Sequence, residues 1–149
     1  MKKFAFSFQY LLDTHRSRAQ AAEHALHDAL HEQAGVQSVL DQKRADRECL
    51  KERLVQMVGI VKRSDFAAHH RSIDFVQREM DGLAVELRRC AEKVESLRSL
   101  FRKEMMGQRI MENLCDRERV EWANAVQKEE QKLMDEMAVV RWNRQEKVV

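Results

Sequence analysis

Three histidines, His24, His27 and His31, fall at i, i+3 and i+7 with Asp28 beside them, the spacing at which one helical face could offer imidazoles to Zn²⁺ or Ni²⁺. Metal sites need further ligands and an enclosing shell that orients them. A single solvated helix supplies neither, so the row reads as solvent-facing histidine, and no metal or other cofactor is expected. Cys49, Cys90 and Cys115 stand far apart with no C-x-x-C pair, which argues against a disulfide scaffold and for a reducing, cytoplasmic setting. A cysteine or serine nucleophile would also require a base and an oxyanion pocket in a concave site. Gly35, Gly59, Gly82 and Gly107 each stand alone, so no glycine-rich loop cradles a phosphate. No catalytic residue is assigned, and the chain is read as a non-enzyme.

The elements that would carry these side chains follow from composition. The 149 residues include no Pro and four Gly, where average usage gives roughly seven and ten. A sheet protein with many tight turns would lack its punctuation. Charged residues make up 35 %, aromatic residues 6 % and apolar residues 44 %, with a mean hydropathy of −0.63, which fits a narrow buried stripe better than a thick core. The 27 basic and 25 acidic residues leave a net charge of +2. They are spread evenly, so no concentrated basic face for nucleic acid stands out. The opening Met1-Lys2-Lys3-Phe4-Ala5-Phe6-Ser7-Phe8 is basic and then apolar, but its apolar run ends at Asp13, short of a signal peptide or a membrane span.

Steps of three and four from Phe8 give Phe8, Leu12, His15, Ala19, Ala22, Leu26, Ala29, Gln33, Val36, Leu40, Lys43, Arg47, Leu50, Leu54, Met57 and Val61, twelve of sixteen apolar. A heptad sustained that far turns one stripe toward a partner helix. Gln33, Lys43 and Arg47 interrupt it and are read as setting register or snorkelling outward. The seam restarts as Phe66, His69, Ile73, Val76, Met80, Leu83, Leu87, Cys90, Val94, Leu97, Phe101, Glu104, Gln108, Met111 and Cys115, again twelve apolar, of fifteen. It slips near Glu118 and resumes as Trp122, Val126, Leu133, Met137 and Val140. Between the two seams, Gly59 suits a left-handed C-cap and Ser64 or Asp65 suits an N-cap. The expected fold is all-α: a single coiled-coil module over residues 1–149, with a helix over about 7–60, a turn at about 61–65 and a longer helix over about 66–145, forming an antiparallel hairpin. Gly82 and Gly107 are read as bends or as tolerated helix interior.

With the turn near residue 63, antiparallel partners add to about 127, which sets Leu12 opposite Cys115 and Leu54 near Ile73. No two cysteines then face each other. Residues after about 120 have no partner in the first helix, leaving roughly 40 Å of helix at 1.5 Å per residue. That overhang still carries Trp122, Val126, Leu133, Met137 and Val140, an apolar stripe suited to a binding partner.

The N-terminal Phe6-Ser7-Phe8-Gln9-Tyr10-Leu11-Leu12, the stretch Glu112-Asn113-Leu114-Cys115-Asp116-Arg117-Glu118-Arg119 and the segment Glu130-Gln131-Lys132-Leu133-Met134-Asp135-Glu136-Met137-Ala138 together resemble the FliJ family, a coiled-coil component of the flagellar type III export apparatus. In length and hairpin layout the resemblance covers nearly the whole chain. It implies a non-enzymatic stalk that binds the hexameric export ATPase, promotes its assembly and activity, and contacts the export gate and substrate chaperones. The implied place is cytoplasmic, peripheral at the inner-membrane export apparatus. Carried onto this chain, the ATPase-facing candidates are Phe8, Trp122, Gln131, Leu133, Asp135, Glu136 and Met137, with Phe4 and Phe6 near them. The gate-facing candidates are Phe66, Ile73, Phe75 and Val76, where His69 and Ser72 stand in place of the family's usual aromatics. The equivalent stalk of a virulence injectisome has the same architecture. Two further readings stay open: a structural coiled coil dimerising through Trp122 to Val140, and a chaperone using Met105, Met106, Met111, Met134 and Met137 as adaptable contacts.

Overall fold

The computed structural model describes residues 3–59 and 62–146. They form two helices, α1 (Gln9–Met57) and α2 (Arg63–Glu146), which pack against each other as an all-α helical hairpin. The composition is suited to long helices, being rich in Ala, Leu, Glu, Gln, Lys and Arg with no Pro. A recurrent local device adds to this. Gln9 donates to Asp13, Gln37 to Asp41, Gln42 to Asp46, Gln77 to Asp81, Gln108 to Glu112 and Gln131 to Asp135, each from Nε2 to a carboxylate one turn on. Such pairs are worth about 0.2–0.5 kcal/mol each.

Both helix ends near the chain reversal are set by backbone geometry. Gly59 has φ 88°, the left-handed conformation glycine adopts without a Cβ penalty. The second helix begins earlier than expected. The Lys62 carbonyl accepts from the amides of Asp65 and Phe66 at 3.0 and 3.2 Å, so the chain is already helical at Arg63 and neither Ser64 nor Asp65 is its N-cap. Asp65 lies instead in the first turn, where its charge complements the helix dipole. The turn expected at about 61–65 falls partly on Val61, which with Ile60 lies outside the described residues.

The chain packs as two compact units, Met1–Ala19 with Glu104–Val149, and Gln20–Lys103. In the second unit the buried apolar residues are Ala22, Ala29 and Leu40 from α1 and Met80, Cys90 and Val94 from α2. Small side chains at Ala22 and Ala29 let the helices approach closely. Two polar seam positions bridge the helices, Lys43 Nζ reaching Glu79 at 2.8 Å and Arg47 Nη1 reaching Gln77 at 2.7 Å, and outside the seam Lys93 Nζ reaches Glu32 at 2.7 Å. The Glu79 hydrogen bond holds the Lys43 ammonium above its ordinary pKa, and Glu32 does the same for Lys93. Lys43 meets Glu79 about one turn nearer the reversal than a partner sum of about 127 allows. The cause is the reversal itself, which lies between Met57 and Arg63, a few residues earlier than expected.

In the first unit the buried residues are Phe6, Leu12, Ala19 and, unusually, Glu104. Phe6 turns inward in place of Phe8, which is exposed. Helix periodicity does not reach Phe8, because α1 starts at Gln9, with the Gln9 amide on the Phe6 carbonyl and the Leu12 amide on the Phe8 carbonyl. The rings of Phe6 and Phe8 meet edge to face at 5.9 Å.

Candidate partner-binding surfaces

In the first unit, Phe4 lies against α2. The Phe4 ring stands 5.9 Å from that of Trp122, tilted by 58°, and the Arg119 guanidinium carbon lies 5.7 Å from the Phe4 centroid. Such aromatic pairs contribute about 0.5–1.5 kcal/mol beyond their burial, and a cation over a ring adds to this. Trp122 is thereby partly covered, its relative exposure falling to 37 %. Heptad stepping misses this contact because Phe4 precedes α1.

Behind this aromatic group is a polar layer. His15 Nδ1 lies 2.9 Å from Glu104 Oε2, within hydrogen-bond distance. Arg16 Nη2 and Gln108 Nε2 both donate to Glu112 Oε1, at 3.2 and 2.9 Å. These two hydrogen bonds, Gln108 first, hold the Glu112 carboxyl below its ordinary pKa. Gly107 faces His15: a Cβ there would sit 2.6 Å from His15 Cε1 and 2.7 Å from Nδ1. Gly107 is therefore neither a bend nor idle helix interior, since α2 runs through it unbroken and the ring of His15 occupies the space.

Beyond Val126, every α2 residue from Gln127 to Asn143 is exposed. Leu133 and Met137 are each 58 % exposed and Val140 50 % among the described residues. Shallow notches lie on either side of Met137, one lined by Met134, Ala138, Arg141 and Trp142, the other by Leu133, Glu136, Val140 and Arg141. Gln131 donates to Asp135 at 3.4 Å along the same helix, and Glu136 faces solvent. Of the ATPase-facing candidates, the six on α2 therefore share this helix. Phe8 stands apart from them, next to Phe6.

The gate-facing candidates divide. Phe75 (61 % exposed) and Phe66 lie open to solvent, whereas Ile73 and Val76 are half-buried at seam positions. The second unit also holds an apolar groove of about 710 Å³ that includes Leu30, Ala34, Ala84, Leu87 and Ala91. His24, His27 and His31 are exposed, and His27 Nδ1 lies 3.8 Å from Asp28 Oδ1. Among the described residues no group of three or more His, Cys, Asp or Glu side chains is arranged to hold a metal ion. Cys49 is exposed, Cys90 buried and Cys115 half-buried. Among the described residues no helix is long and apolar enough to cross a membrane.

Compared with known proteins, residues 4–147 match the family model described as flagellar FliJ protein. Neither the curated proteins nor the solved structures yield a match.

Proposed function

Because the chain belongs to the FliJ family of flagellar export coiled-coil proteins, we propose that it is a non-enzymatic stalk of the type III export apparatus that binds the hexameric export ATPase through the C-terminal part of α2. The observation that carries this reading is the uncovered apolar stripe of Leu133, Met137 and Val140 on a continuous helix. An amphipathic helix offers such a face to a groove or to other helices, with anchors one turn apart. Met137 and its flanking notches would accept apolar side chains of the ATPase. Glu136 and Arg141 at the edges would set the polarity of the partner's rim.

On this reading Phe8 and Trp122 extend the contact toward the start of α1, and Gln131 and Asp135 form its solvated flank. A single asymmetric coiled coil on the axis of a ring stabilises some subunit interfaces more than others, which biases assembly and turnover. The exposed aromatics Phe66 and Phe75 are the proposed anchors for the export gate. Ile73 and Val76 support them from the seam. Contacts with substrate chaperones, and a place at the cytoplasmic face of the inner membrane, belong to the same proposal.

The test is titration of the purified ATPase with this protein and with Leu133→Ala/Met137→Ala. Saturable binding by the wild type that weakens at least tenfold in the variant supports the assignment. Equal binding by both moves the contact elsewhere, and self-association through Leu133 and Met137 without ATPase binding favours a structural coiled coil.

A further inference from the structure

Apolar seams built from heptads have a weakness: sliding one helix by seven residues again sets apolar positions against apolar positions. The first unit is exposed to this ambiguity, because Leu12 and Ala19 are its only buried apolar residues on α1. One contact in it is not repeated at the other glycines among the described residues. The His15 ring fills the place where Gly107 lacks a Cβ, with its Nδ1 on the Glu104 carboxylate one turn away.

A second Glu-x-x-Gly sequence, Glu79 to Gly82, gives a direct comparison within the chain. There Glu79 receives the slender Lys43 ammonium, and a Cβ at Gly82 would meet nothing within 4 Å. The glycine is thus sterically required only where the partner is a flat ring. Glu104 is also the buried charged residue of the core, and a buried polar group is best attested as a determinant of register, at some cost in stability.

We infer that His15, Glu104 and Gly107 form a register notch: a ring-shaped key on α1, a slot on α2 that only glycine leaves open, and a carboxylate that fixes the ring once seated. In this register Phe4 meets Trp122 and Arg119. A slide by one heptad would put the His15 ring against a side chain with a Cβ and would carry Phe4 off Trp122. The three residues are positioning residues for that aromatic contact, and their role is independent of what binds the rest of α2.

The experiment uses the full chain with Trp142→Phe, so that emission reports Trp122. Gly107→Ala should lower the melting temperature by several degrees when His15 is present. In a His15→Ala background it should leave the melting temperature unchanged or raise it, because alanine is the better helix former. The same sign and size of change in both backgrounds would overturn the notch. If Gly107→Ala fails to fold, folding of His15→Ala/Gly107→Ala supports the inference and its failure contradicts it. The second variant, His15→Leu/Glu104→Leu, separates register from stability. It should melt at or above the wild type while Trp122 emission shifts to the red as far as in Phe4→Ala. A lower melting temperature, or unchanged emission, would refute the role in register.

Discussion

Phe4 and Trp122 lie with ring centroids 5.9 Å apart, which ties the segment ahead of α1 to the helix from which the exposed stripe continues. Arg119 above the Phe4 ring makes this a three-member contact. The N-terminal aromatics and the C-terminal part of α2 therefore belong to one unit.

Removing that contact has a direct optical consequence. In a Trp142→Phe background, Phe4→Ala should shift Trp122 emission to the red and cost about 0.5–1.5 kcal/mol of stability beyond the lost burial. Emission at the wild-type wavelength would mean that Phe4 does not cover Trp122 in solution.

Leu40 is 3 % exposed in the core of the second unit. Leu40→Ala should destabilise the protein by about 2–4 kcal/mol through lost transfer energy and the cavity left behind. The matched control is Val85→Ala on the exposed surface, expected within about 0.5 kcal/mol of the wild type. Urea midpoints that change equally for both would contradict the seam assignment.

Glu112 supplies a pH signature. Its carboxyl is held below the ordinary value of 4.5 by Gln108 and Arg16, so its folded pKa is lower than its unfolded one. Its contribution is then fully present above about pH 4.5 and is lost as pH falls through the depressed value. The melting-temperature difference between wild type and Glu112→Gln should persist from pH 7 down to about pH 5 and disappear in stronger acid. A difference that grows on acidification contradicts the sign.

Much of the seam in both units was legible in sequence, and the reason is periodicity. Every α1 seam position from Leu12 to Met57 is buried or half-buried, and so is every α2 position from His69 to Cys115. Heptad stepping works there because both helices are continuous. It fails where the chain is not helical: it chose Phe8 over Phe6, and it left out Phe4, which meets Trp122. It also could not assign Gly107, because a glycine's role depends on what stands opposite, and here that is the His15 ring. For the proposed sites, the exposed stripe was readable from length alone, since α2 has 84 residues and α1 has 49. The unequal exposure of Phe75 and Ile73 required the register.

The stripe itself gives the next prediction. Leu133→Ala/Met137→Ala should leave helicity and melting temperature nearly unchanged, because both side chains are mostly exposed and alanine favours helix. A large loss of helicity in circular dichroism would show that these residues hold the unit together and are not free for a partner.

The central claim is tested most directly by the hydrolysis rate and oligomeric state of the cognate export ATPase, measured across a range of ratios of this protein. The account predicts a saturable rise in rate together with ring formation, both reduced by Leu133→Ala/Met137→Ala. No change in rate, assembly or binding, with an ATPase competent on its own, would contradict it.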